Sequence, residues 1–70
     1  MKEDKQKILD LLLPTLQATR NLEDLMSLVY VKLENGEERV IAIFHAGDKV
    51  VNVSGDSGTS LILDVVHGII

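Results

Sequence analysis

LVYVKLENGEERVIAIFH, residues 28–45, is the stretch on which the reading of this chain turns. Two runs with strand alternation, 28–33 and 38–45, flank Asn35 and Gly36, and Asn-Gly in that setting is the strongest short-range signal for a β-hairpin. A further turn at 46–49, with Gly47 inside it, leads into a third strand-like run at 50–54. The middle of the chain thus predicts a meander of antiparallel strands.

Loop length sets which residues face each other. A tight loop of Asn35 and Gly36 places Leu33 opposite Glu38, Val31 opposite Val40 and Val29 opposite Ala42. With Gly47 and Asp48 as the second loop, Phe44 opposes Val51 and Ala42 opposes Val53. One face then carries Val29, Val31, Leu33, Val40, Ala42, Phe44, Val51 and Val53, and this is the expected core. The other carries Leu28, Tyr30, Lys32, Arg39, Ile41, Ile43, His45, Val50 and Asn52. A solvated sheet face alternates cleanly with its core face, whereas this one keeps Leu, Tyr, Ile and Val together. Contiguous apolar surface rimmed by polar groups marks an interface, so Leu28, Tyr30, Lys32, Arg39, Ile41, Ile43 and His45 are the candidate binding residues. Helices split between the two sides of the sheet would cover the same residues from within the chain. A three-residue loop with a bulge would shift the first strand by one and bring Lys32 opposite Glu38, which is electrostatically better, and both faces would still keep apolar residues.

Outward from the strands, Ile8, Leu9, Leu12, Leu13 and Leu16 recur at helical spacing from about Glu3 onward. Pro14 interrupts the pattern, since a proline in a helix interior removes a hydrogen bond and clashes with the preceding turn at a cost of about 3 kcal/mol. The expectation is a helix to about Leu13 and a restart with Pro14 in its first turn. Asn21 can end that piece or cap a short turn before the strands. Beyond residue 54, Leu61, Ile62, Val65, Val66 and Ile69 form another apolar stripe. Asp56 or Ser57 stands ready to cap it, and His67 and Gly68 suit its end. The fold class is α+β, with the order α-β-β-β-α in a single small domain spanning residues 1–70.

A chain of 70 residues buries only about 60% of its unfolded surface, so it needs an additional source of stability. The chain has no cysteine and only His45 and His67 as histidines, which leaves neither a disulfide framework nor a zinc site, and no metal or other cofactor is expected. Self-association is the remaining common device. A net charge of −4 with scattered bases disfavours a nucleic-acid partner, which calls for clustered Lys and Arg. No segment reaches the roughly 20 apolar residues of a membrane span, so no membrane partner is expected and the location read from the sequence is cytoplasmic.

The segment GDSGTS, residues 55–60, holds the chain's only catalytic resemblances. Gly55, Asp56, Ser57 and Gly58 resemble the nucleophile loop of chymotrypsin-like serine proteases, whose Ser needs a His base and a buried Asp on a much larger double barrel. Asp56, Ser57, Gly58, Thr59 and Ser60 resemble the signature of aspartic proteases, which implies a hydrolase using Asp56 across a homodimer axis. The same letters are what a strand-to-helix turn and cap require. No phosphate-binding glycine motif is present. The expectation is therefore an interaction or regulatory module without enzymatic activity, self-associating or binding a protein partner through one sheet face. The alternatives are the Asp56 hydrolase and a weak nucleic-acid binder using Lys32 and Arg39.

Overall fold

The computed structural model describes residues 4–53 and 57–70. Its elements run α1 (Lys5–Gln17), β1 (Leu25–Lys32), β2 (Glu38–Phe44), β3 (Gly47–Val53) and α2 (Gly58–Ile69). The strands form one antiparallel sheet in the order β1-β2-β3, as the alternating runs and turn residues predict.

The first hairpin takes the longer, three-residue loop. Lys32 stands opposite Glu38, Val31 opposite Arg39, Tyr30 opposite Val40 and Leu28 opposite Ala42. The Gly36 N–H donates to the Leu33 carbonyl at 3.0 Å and the Leu33 N–H to the Glu37 carbonyl at 2.8 Å, so Glu34, Asn35 and Gly36 form the loop. Gly36 has φ 91°, the left-handed conformation that glycine adopts without steric cost and that closes such a bulged turn. Asn35 accepts the Glu37 N–H at 3.0 Å through its side chain. The expected pairing of Val31 with Val40 is thus corrected by one residue, and a one-residue slip exchanges the faces of an entire strand. Leu28 and Tyr30 turn to the core side, while Val29 and Val31 turn away from it.

The second hairpin is corrected differently. Phe44 opposes Gly47, Ala42 opposes Lys49 and Val40 opposes Val51, so the loop is His45 and Ala46 rather than Gly47 and Asp48. This displacement is an even number of residues, and Val51 and Val53 keep the face expected of them. Both are buried in the core with Val40 and Ala42.

Both helices cover that face. Leu9 and Leu16 of α1 and Leu61, Val65 and Ile69 of α2 join Leu22, Leu25, Leu28, Val40, Ala42, Val51 and Val53 in one buried cluster. Asp4 caps α1, its carboxylate accepting the Lys7 N–H at 3.1 Å, and α1 runs unbroken through Pro14 instead of restarting there. The carbonyl that Pro14 leaves without a donor belongs to Asp10, and both residues lie on the exposed side, where water can serve it. Leu9, Leu12, Leu13 and Leu16, on both sides of Pro14, pack on the same core, which holds the two turns in line against the local cost. Asn21, at φ 74°, takes the left-handed conformation in the turn that leads to β1. At the start of α2, Ser57 is the cap, accepting the Ser60 N–H at 3.1 Å.

Candidate functional site: the open face and the edges of the sheet

With both helices on one side, the other side of the sheet carries Ser27, Val29, Val31, Arg39, Ile41, Ile43, Asp48, Val50 and Asn52. None of these belongs to the buried cluster or to the side chains packed against it, and Val50 is 58% exposed. Among the described residues no element covers this face. Val29, Val31, Ile41, Ile43 and Val50 form its apolar part. Arg39 lies near one end, its Nη2 donating to Glu37 Oε2 at 3.0 Å, while its Nε is buried without a hydrogen-bond partner among the described residues.

Of the residues that the sequence proposes as an interface, Arg39, Ile41 and Ile43 are brought together here. Leu28, Tyr30 and Lys32 are not, because the longer loop puts them on the helix side, where Leu28 is 2% exposed. His45 sits exposed in the turn between β2 and β3, its backbone N–H donating to the Asp24 carbonyl at 3.1 Å. Val29 and Val31, assigned to the core by the shorter loop, belong to the open face instead. The favourable pairing of Lys32 with Glu38 was the sequence signal that could have placed them.

The polar groups on the helix side close the core at one end. Glu38 accepts from the Lys5 ammonium and from the Tyr30 hydroxyl, and the Lys5 ammonium also stands 5.5 Å from the centre of the Tyr30 ring. The Lys5 and Glu38 side chains are only 16% and 17% exposed. Hydrogen bonding from Lys5 first, and from Tyr30 second, holds the Glu38 carboxyl below the usual glutamate range. Tyr30 is raised, chiefly because its hydroxyl donates to that carboxylate, and then by burial. A depressed folded-state value means that the carboxylate stabilises the fold above the unfolded value of about 4.3 and loses that effect as pH falls through the folded value. The melting-temperature gap between the wild type and Glu38→Gln is therefore expected to be constant near neutrality and to close as pH falls from 5 towards 3. A gap independent of pH over that range would show that the carboxylate charge is not what Glu38 contributes.

The edges of the sheet differ from each other. Gln6 of α1 accepts the Tyr30 N–H at 2.8 Å and donates to the Leu28 carbonyl at 2.9 Å, and Gln17 donates to the Leu25 carbonyl at 3.0 Å. These glutamine amides occupy the outer edge of β1 as a neighbouring strand would. No described residue does the same for β3.

Other candidate chemistry does not assemble. Lys32 and Arg39 project to opposite faces of the sheet, beside Glu38 and Glu37 respectively. Asp56, with Ser54 and Gly55, lies outside the described residues, and the Ser57 hydroxyl is engaged with Ser60. A hollow of about 410 Å³ beside the first hairpin is lined by Gly36, Glu37, Glu38, Asn52 and Val53, a set holding two carboxylates and no base. Among the described residues there is no cluster of His, Cys, Asp or Glu that could hold a metal ion, and no helix is long and apolar enough to cross a membrane. The chain matches no family model, no curated protein and no solved structure.

Proposed function

We propose that the protein is a small interaction module that associates with a second copy of itself through the open face of its sheet. The observation carrying this reading is the grouping of Val29, Val31, Ile41, Ile43 and Val50 on a face that no described element covers. Burying such a face supplies the extra apolar contact that a domain of this size lacks. Aliphatic side chains on a pleated surface interdigitate well when two sheets stack about 10 Å apart, and polar Arg39, Asp48 and Asn52 at the margin give the patch the make-up of an interface core and rim. Catalysis forms no part of the reading.

Light scattering at tens of micromolar is expected to give the mass of a dimer or a larger assembly. Ile41→Glu, on the central strand of the open face, is expected to lower that mass while leaving the circular dichroism spectrum unchanged, because a charge buried without a partner in the contact costs several kcal/mol. A monomer mass for the wild type, or an unchanged assembly for Ile41→Glu, would overturn association through this face.

A further inference from the structure

We infer that the outer edge of β3, which no described residue covers, is a second self-association site, at which two copies pair antiparallel about Val50 to form one continuous sheet. The second copy as partner is carried over from the association proposed above, but the contact is a different one, made by backbone along an edge rather than by side chains across a face.

The bonds of Gln6 to β1 fix the direction of the edge groups. Because Leu28 and Tyr30 bond Gln6, their backbone groups point away from β2, and those of Val29 and Val31 point towards it. On β2, Arg39 and Ile41 then bond β1, leaving Glu38, Val40, Ala42 and Phe44 to bond β3. Their partners on β3 are Val53, Val51, Lys49 and Gly47. Asp48, Val50 and Asn52 therefore direct their N–H and C=O groups outward, and all three residues are exposed. An unpaired edge of this kind is a template for another strand. On β1 the glutamines of α1 have taken that place; on β3 no described residue has.

What selects a second copy, and one register, is the length of β3 together with its charges. Gly47–Val53 is centred on Val50, so only pairing about Val50 engages all seven residues, and a shift towards the end of β3 leaves strand residues without a partner. With Val50 on the two-fold axis, Asp48 opposes Asn52 of the second copy, Lys49 opposes Val51, and Val50 opposes Val50. Each outward residue then meets an outward residue and exchanges both backbone bonds, and no like charges face each other. Shifting by one pair towards the start of β3 sets Lys49 against Lys49, and shifting by two sets Asp48 against Asp48, both destabilising for directly opposed residues. The size of the face argues the same way. Three strands of seven or eight residues present a projected face of roughly 300 Å², small against the roughly 800 Å² per partner of a standard interface. Edge pairing doubles it, so that the stacked assembly becomes a tetramer of two six-stranded sheets.

The chain contains no cysteine, which makes cross-linking a direct test. Directly opposed residues in a hydrogen-bonded antiparallel pair have Cα atoms about 5.5 Å apart and Cβ atoms near the upper end of about 4.5–5.5 Å. That is a little beyond the roughly 3.5–4.5 Å of a direct disulfide, so a short reagent that couples two thiols is the cross-linker that bridges them. With a short bis-methanethiosulfonate reagent Val50→Cys is expected to run largely as a covalent dimer on a non-reducing gel. A mixture of Asp48→Cys and Asn52→Cys chains is expected to form the mixed dimer, while either variant alone stays mostly uncoupled. All three positions are exposed, so the variants are expected to keep the wild-type circular dichroism spectrum. Repeating the experiment with Ile41→Glu added separates the two contacts. If the edge reading holds, the cross-link persists when stacking through the open face is broken. Failure of Val50→Cys to couple, loss of the cross-link on adding Ile41→Glu, or Asp48→Cys coupling to itself as readily as to Asn52→Cys would each overturn the edge pairing. Persistence of the Val50→Cys cross-link together with an assembly insensitive to Ile41→Glu would instead remove the face contact and leave the edge.

Discussion

Leu28→Asp is expected to leave the chain largely unfolded at room temperature. The side chain is 2% exposed and lies in the cluster with Leu9, Val40 and Ala42. Losing a buried leucine costs about 2–5 kcal/mol, and a carboxylate put in its place without a partner adds several more or must be protonated. A domain of this length has a total stability of roughly 4–10 kcal/mol, so the substitution removes most or all of it. Circular dichroism and a urea titration are the measurements. The contrast with Ile41→Glu is informative, because the shorter hairpin loop would put both residues on one face and give both variants the same phenotype. A cooperative transition for Leu28→Asp at the wild-type midpoint would show that Leu28 is not in the core, and the register of the first hairpin would have to be redrawn.

Gly68→Val is expected to be the next most damaging change, with a loss of about 3 kcal/mol or more. Gly68 lies inside α2 rather than beyond its end, and a Cβ built there would come within 2.5 Å of Val51 Cγ1 and 2.7 Å of Cγ2. Val51 is short and branched, rooted in β3 and 6% exposed, so it cannot swing clear. The helix itself must lift from the sheet. Gly68→Ala is expected to cost less, since alanine recovers about 0.8–1 kcal/mol of helix propensity. In a double-mutant cycle, Val51→Ala should relieve much of the Gly68→Ala penalty, with a coupling of about 0.5–3 kcal/mol. Strict additivity of the two would show that close approach of α2 to β3 is not why position 68 is glycine.

Position 68 also shows where local reading stops. Near the end of an apolar stripe, a glycine is most simply a helix terminator, and nothing within a few residues of it announces that Val51, 17 positions earlier, will press against its Cα. Gln6 and Gln17 behave in the same way. On α1 they read as polar positions beside an apolar stripe, yet in the fold their amides serve the edge of β1. The contrast between the edges of β1 and β3 arises only once α1 lies along the sheet.

What the sequence determined by itself is the set of elements and their order, because a strand period of two, a helical period of 3.6 and turn residues such as Asn35 and Gly36 are expressed over a handful of neighbours. The positive φ of Gly36 belongs to this class, being demanded by either loop length. The tertiary structure alone decided the rest. Loops of two or three residues around Gly36 are both locally acceptable, and they differ in which side of β1 meets the helices. That choice rests on contacts made only in the folded chain, with Leu28 joining Leu9 and Lys32 standing opposite Glu38. For the same reason Pro14 did not divide α1, since its local cost is set against leucines on both sides of it that share one core. Moving the loop by one residue exchanged Leu28 and Tyr30 for Val29 and Val31 on the open face, while Arg39, Ile41 and Ile43 stayed where β2 had put them. The composition of the candidate interface is thus local for the central strand and tertiary for its neighbour, because only the pairing of two strands tells either one which way is out.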